Sequence, residues 1–332
     1  MPVSMIPPET APGFLARAGW SGAQILPLAG DASFRRYFRA VLGDRHAVLM
    51  DAPPPHEDPK PFIAVGQWLV EQGFSAPRIL AVDLDLGLVL IEDFGASRMR
   101  EAIDANPALE RPLYRDVTEL LVDLAKKPAM AIAPYSLDDY QRELGLFTEW
   151  YCPAVGLSPD RESYEALWSE LLVPVLAAQA NPVTVLRDYH AENIMLIEGR
   201  EGRYRLGLLD FQDALAGHPA YDLVSMLQDA RRTVSPEIEA EMFAHYLSLA
   251  QPADGFEAAY HLLGVQRNLK ILGIFTRLWK RDNKPRYRAF QPRVWAYVER
   301  SLAHPALAPA KAWMDAHVPA GKRAPAWEAF AE

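Results

Sequence analysis

The apolar residues of this chain follow two different periods, and that division limits its fold more than any other feature. In residues 34–41 they alternate, with Phe34, Arg36, Phe38 and Ala40 on one side and Arg35, Tyr37, Arg39 and Val41 on the other. Gly43-Asp44 then turns the chain, residues 47–50 give a second apolar run, and Pro53-Pro54-Pro55 stops it, which predicts an antiparallel hairpin. Phe62, Val65, Trp68 and Leu69 instead recur at helical spacing between Pro61 and Gly73, which predicts one amphipathic helix. Residues 79–82 and 88–91 read as two further strands. Beyond them helical spacing prevails, in residues 113–124, 140–150 and 164–178, with a single interruption at 183–210. There an apolar strand runs into Leu186, a polar loop follows, and residues 194–197 and 204–209 flank a turn. The pattern predicts an α+β, two-lobed chain: a small lobe of antiparallel sheet plus one helix in residues 1–91, a connector at 92–96, and a large, mainly helical lobe in 97–332.

Composition fits two lobes and excludes several classes. The chain has 332 residues, half of them apolar, 23% charged, and a net charge of -9, enough to bury a sizeable core. The longest apolar runs, at 87–91 and 171–180, fall short of the roughly 20 residues that span a bilayer, so no membrane association is expected. The acidic balance argues against nucleic acid as a partner. A start without the basic and apolar segments of a secretory signal, together with a single cysteine, Cys152, points to a reducing cytoplasm and a packed thiol. No internal repeat occurs, and nothing implies an obligate protein partner.

The interruption holds the chemistry. Asp188 is followed five residues on by Asn193, and a strand then ends at Asp210; kinases arrange phosphoryl transfer in this way. Asn193 and Asp210 would supply oxygen ligands to Mg²⁺, which bridges nucleotide phosphates. Asp188 would orient the acceptor hydroxyl and take its proton. These residues resemble the catalytic loop and metal motif of the aminoglycoside phosphotransferase family, a branch of the protein-kinase-like fold. The resemblance extends to Gly217, His218 and Asp222-Leu223, and implies that Asp222 braces the catalytic loop. It also implies ATP and Mg²⁺ as cofactors, with adenine seated at the backbone of Glu92, Asp93 and Phe94. The segment between Asp210 and Asp222 is too short for a protein-kinase activation loop, so a small-molecule acceptor is expected.

Two departures from the family pattern stand out. Where the family presents a lysine to the phosphates and a glutamate to pair with it, this chain has Met50 and Phe62. Losing both together avoids leaving one buried charge unpaired. Phosphate clamping then falls to residues 30–39, Gly-Asp-Ala-Ser-Phe-Arg-Arg-Tyr-Phe-Arg, through Ser33, the backbone about Phe34, and Arg35 or Arg36. The same arginines would equally suit the solvated outer face of a hairpin. This loop, with Val-Leu-Met-Asp-Ala-Pro-Pro, Ile-Glu-Asp-Phe-Gly and Leu-Arg-Asp-Tyr-His-Ala-Glu-Asn-Ile-Met, resembles the bacterial anomeric sugar kinases of cell-wall recycling. That resemblance implies an amino-sugar acceptor, N-acetylmuramate or N-acetylglucosamine, phosphorylated at C1.

The acceptor side is less sharply written. Residues 267–293 hold nine Lys or Arg against one acid, Asp282, and Arg267, Lys270, Arg277, Lys280 and Arg281 share one face of a helix. Such a stripe is expected to be solvated, but it disfavours a polycationic acceptor and tolerates an anionic sugar. Candidate acceptor contacts are His190, Glu192, Gln212, Asp213, Gln228, Asp229 and Arg231, with Trp150, Tyr151 or Trp279 as an aromatic platform. Two other readings stay open: a kinase for choline, homoserine or an aminoglycoside, and a nucleotide-binding regulatory module, the latter motivated by Met50, Phe62 and Leu186.

Overall fold

The computed structural model describes residues 6–28 and 34–323. The Gly30–Ser33 part of the expected phosphate loop lies outside them. Packing divides the chain into two compact units, Met1–Pro107 with Glu192–Asp213, and Ala108–Ala191 with Ala214–Glu332. The sequence-read connector at 92–96 therefore falls inside the first unit, and the segment bearing Asn193 and Asp210 belongs to that unit as well.

The first unit is built on a five-stranded antiparallel sheet in the order β1-β2-β3-β5-β4, with strands Gln24–Pro27 (β1), Arg36–Leu42 (β2), Arg45–Asp51 (β3), Ile79–Asp83 (β4) and Leu88–Glu92 (β5). Alternation places Phe38, Ala40, Ala47, Leu49, Leu88 and Leu90 on one face. There they pack with Phe14, Leu15 and Trp20 from helix α1 (Ala11–Arg17) and the turn after it. Neither α1 nor β1 is legible in the sequence; α1 is two turns long, and β1 is a four-residue edge strand, mostly exposed. Helix α2 (Lys60–Glu71) is the expected amphipathic helix, burying Phe62, Val65 and Leu69. Met50 is fully buried opposite Val89, and Phe62 stacks on Phe211 with ring centroids 5.0 Å apart. The two positions that depart from the family pattern are thus apolar core.

A short hairpin, Ile194–Leu196 against Leu206–Leu208, completes this unit. Residues 202–205 form a 3-10 turn where the sequence suggested strand. The hairpin is tied to the sheet side by Leu208 N–H donating to Ser75 O at 2.8 Å. Gly207 must be glycine, because a Cβ there would lie 2.6 Å from the Phe94 ring.

The second unit is mainly helical. Helix α3 (Glu110–Ala125) buries an apolar stripe, and helix α4 (Leu137–Leu146) starts from a capping box between Ser136 and Asp139. The chain continues through a wider π-type turn, Phe147–Tyr151, which buries Tyr151 in the core, where its hydroxyl donates to Lys322 O. Tyr151 is therefore no acceptor platform. The helix expected over 164–178 is broken into Arg161–Leu171 and Val173–Ala178, because Pro174 lacks the amide a continuous helix needs. Strand Val183–Val185 pairs with Leu215–Gly217, a strand too short to announce itself. Cys152 is buried and its thiol is pushed up to about 12 by that burial, which makes it an inert packed group.

A 25-residue helix, Phe256–Lys280, runs through this unit. It approaches α4 so closely that a Cβ on Gly273 would meet the Leu146 carbonyl oxygen at 2.4 Å. Its basic stripe is divided between core and surface, which corrects the expectation of a solvated face. Lys280 and Arg281 are exposed, but Arg267 is only 4% exposed and the Lys270 side chain 15%. Among the described residues no helix is long and apolar enough to cross a membrane.

Candidate active site

In the first unit the hairpin delivers Asn193 and Asp210 to one place. Leu209 N–H donates to Asn193 O at 3.0 Å, holding the two ends of the hairpin together. Asp210 then adopts a left-handed backbone, φ 57°, which an aspartate tolerates only where its surroundings hold it. The Asn193 side-chain amide lies 3.4 Å from Asp210 Oδ2, and Gln212 Nε2 donates to Asp210 Oδ1 at 2.9 Å. Among the described residues no group of three or more His, Cys, Asp or Glu side chains gathers. Two oxygen-bearing side chains nonetheless fit Mg²⁺, which keeps waters and takes its other ligands from nucleotide phosphates.

The alternation of residues 34–41 left Arg35 and Arg36 undecided, and the structure separates them. Arg35 stands just before β2, its side chain about 10% exposed, with Nη2 3.6 Å from Asp210 Oδ1 and Nε 3.8 Å from Glu57 Oε2. Arg36 begins the strand and turns to the buried Asp51, donating through Nε at 2.8 Å, and to Ile6 O. Its bond to Asp51 ties it to the sheet, whereas Arg35 is the arginine beside Asp210. Phe34 is 67% exposed, stacks on His56, and its N–H donates to Glu57 Oε1 at 3.1 Å.

The connector's side chains are occupied in holding it. Glu92 pairs with Arg200, and Asp93 accepts from Arg39 Nε at 2.6 Å and from Gly95 N at 2.8 Å. Phe94 is buried against Gly207 with the Arg200 guanidinium over its ring. Glu192 is held by Arg100, and Asp213 receives a bond from Gln212.

In the second unit the loop 186–190 carries Asp188. Arg187 sits at φ 70°, and both amides before Asp188 are taken by one carboxylate: Asp222 accepts from Leu186 N at 2.6 Å and Arg187 N at 2.8 Å. Burial pushes Asp222 up to about 7 against these two donors. The Arg187 side chain reaches Glu143, an acid 4% exposed that also accepts from Lys270 Nζ at 2.7 Å, Gln266 Nε2 at 3.0 Å and the Tyr135 hydroxyl. Glu143 is missing from the sequence reading, and no local signal marks it. Burial raises it, but Lys270 and Arg187 outweigh that and hold it at about 2.

Asp188 is half-buried. Burial would raise its pKa, yet Lys270, Arg267 and Arg231 together hold it below the usual carboxylate range. It is ionised at neutral pH, as a proton acceptor must be. His190 is 3% exposed with Nε2 at 3.3 Å from Arg231 Nη1, and burial lowers it to about 4, so the ring is neutral. Asp229 accepts from Arg231 N at 2.8 Å. Gln228 lies in the core, donating to Glu239 and accepting from Asn268, and is thereby removed from the acceptor contacts.

These buried imidazoles make stability pH-dependent. His218, 5% exposed, is also lowered to about 4 by burial and accepts from Ala220 N. Between pH 6.5 and 4 the unfolded chain binds protons that the folded imidazole refuses, so its stabilisation is complete above pH 6.5 and lost as pH falls through about 4. In urea titrations the unmodified protein should lose about 3 kcal/mol more than His218→Gln across that window. Asp222 titrates with the opposite sign but equally in both proteins. Parallel pH dependences would refute the assignment.

A five-stranded antiparallel sheet flanked by helices, an aspartate-ended hairpin and a mainly helical unit is the architecture of protein-kinase-like phosphotransferases. A choline/ethanolamine kinase family protein from Mesorhizobium loti shares the fold at a TM-score of 0.60 and 16% identity, over 92% of this chain and 98% of that one. The chain belongs to the phosphotransferase enzyme family, whose model matches residues 24–262. It is 37% identical to the N-acetylmuramate/N-acetylglucosamine kinase of Caulobacter vibrioides, over 93% of this chain and 96% of that protein. It is 36% identical to the kinase of the same name from Pseudomonas aeruginosa, over 88% of each.

Proposed function

We propose that this protein is a cytoplasmic, ATP- and Mg²⁺-dependent sugar kinase that phosphorylates the anomeric hydroxyl of N-acetylmuramate and N-acetylglucosamine in peptidoglycan recycling. The observation that carries this reading is the 37% identity to a kinase of that name along nearly the whole of both chains. The residues provide a matching set of roles. Asp188, ionised at neutral pH, orients the anomeric hydroxyl and accepts its proton as the oxygen bonds to the γ-phosphorus. The bond from that phosphorus to the β,γ-bridging oxygen breaks, and ADP departs. Asn193 and Asp210 would hold Mg²⁺, which when bound neutralises charge on the phosphate oxygens. Arg35, beside Asp210, replaces the absent phosphate-clamping lysine together with Ser33. Adenine rests against the connector backbone, the side chains of Glu92, Asp93 and Phe94 being used to shape it. Asp222 fixes the catalytic loop. An anomeric hydroxyl is more acidic than an ordinary alcohol, which suits a base of low pKa.

The test is ³¹P NMR of the protein with ATP and Mg²⁺ and, in separate tubes, N-acetylmuramate, N-acetylglucosamine and an aminoglycoside. A sugar-dependent phosphorus signal coupled to the anomeric proton is expected in the first two tubes. ATP unchanged in both would sink the reading, and a product in the third alone would replace it.

A further inference from the structure

A guanidinium taken out of water loses hydration that only an anion or several acceptors can replace, so buried arginines are nearly always paired. The second unit follows that rule at the buried Arg323, which holds Glu299 and Asp315, and its partly buried Arg187 and Arg300 are likewise paired, with Glu143 and Glu239. Arg267 departs from it. The side chain is 4% exposed, Nη1 has no hydrogen-bond partner, and no ion pair is formed with any described residue.

Its surroundings are those of the general base. The charge of Arg267 acts on Asp188, on His190 and on Asp222. Along the Phe256–Lys280 helix, Arg267, Ile271 and Phe275 follow at four-residue spacing on one face. Arg231 lies with its guanidinium carbon 5.9 Å from the centre of the Phe275 ring and reaches His190 at 3.3 Å. Three acids share the neighbourhood, and each has other work. Asp222 serves two backbone amides, Asp229 takes the Arg231 N–H through Oδ1 while its Oδ2 has no partner among the described residues, and Asp188 is the proton acceptor. None of them pairs with Arg267.

We propose that Arg267, assisted by Arg231, recognises a carboxylate on the acceptor, so that the enzyme favours a carboxylate-bearing amino sugar over its neutral counterpart. The inference rests on the sugar-kinase reading: N-acetylmuramate carries a lactyl carboxylate that N-acetylglucosamine lacks. A guanidinium matches a carboxylate in planar, two-bond geometry. An acceptor that brings its own anion satisfies the buried charge, whereas a neutral sugar leaves it uncompensated, and that difference is the source of discrimination.

The experiment is the ratio of kcat/KM for N-acetylmuramate to that for N-acetylglucosamine, measured on one preparation each of the unmodified protein and Arg267→Gln. Because both substrates see the same molecules, any loss of folded protein cancels. The ratio should fall by about 10- to 100-fold, the usual worth of a hydrogen bond to a charged group, with the loss for N-acetylmuramate carried mainly by KM. Should Arg267→Gln yield no soluble protein, Arg267→Lys is read in the same way, with a smaller fall expected because the charge remains but the fork is lost. An unchanged ratio, with both substrates impaired equally, would place Arg267 on the transferring phosphoryl group, which the two reactions share, and overturn the assignment. Inactivity of the unmodified protein toward both sugars would instead overturn the kinase reading on which it stands.

Discussion

Asp188→Asn should lower turnover by about 10² or more, the ordinary size of general base catalysis, while leaving nucleotide affinity within a fewfold. Asparagine keeps the shape and can still receive the acceptor's hydroxyl proton in a hydrogen bond, but it cannot accept that proton outright. The carboxylate is held ionised because Lys270, Arg267 and Arg231 overcome the penalty of its burial. A base of depressed pKa is weak, so its contribution lies in aiming the hydroxyl at phosphorus and taking the proton late, when bond formation has made the oxygen acidic. It follows that the pH–rate profile of the unmodified enzyme has no limb near neutrality from Asp188. Single-turnover rates separate this loss from product release, and nucleotide binding measured by calorimetry supplies the control. Turnover unchanged in Asp188→Asn would remove Asp188 from the role of base. Nucleotide affinity falling in parallel would mean that the substitution had disturbed the loop rather than the proton transfer.

How much of this was readable in advance depended on distance along the chain. The β2–β3 hairpin and helix α2 were legible because each carries its own period, and the fold class followed from the order of periods. The spacing of Asp188, Asn193 and Asp210 was legible because loop and hairpin are contiguous. Where signals needed a third dimension, reading stopped. Arg35 and Arg36 could not be told apart because β2 begins at Arg36, so the alternation extended back to Arg35 did not apply. Gln228 reads as an acceptor contact because it is polar and belongs to the helical segment after the metal aspartate, yet its amide satisfies Glu239 and Asn268 within the core. The basic stripe of the long helix read as solvated, since nothing near it in sequence supplies acid. The acid is Glu143, more than a hundred residues upstream. Apolar spacing is blind to the amide that Pro174 removes, so residues 164–178 read as one helix where there are two.

Glu143 carries the largest stability prediction. Its carboxylate is the common partner of Lys270, Arg187, Gln266 and Tyr135. Removing it as Glu143→Leu leaves an ammonium and a guanidinium, whose side chains are 15% and 20% exposed, without their carboxylate, and breaking a buried pair from one side typically costs about 3–5 kcal/mol. Chemical denaturation should show that loss. A double-mutant cycle with Lys270→Met then distinguishes an energetic role from a positional one. The double variant should be more stable than Glu143→Leu alone, because a buried cation without a partner costs more than an apolar pair of similar size. Activity should not return with the stability. Arg187 stands at φ 70° immediately before Asp188, anchored on one side by Asp222 at its amide and on the other by Glu143 at its guanidinium. With Glu143 gone the second anchor is lost whichever residue occupies position 270, so kcat should stay depressed in both variants. Full recovery of kcat in the double variant would show that the cluster serves only to neutralise Lys270 and has no part in holding the catalytic loop.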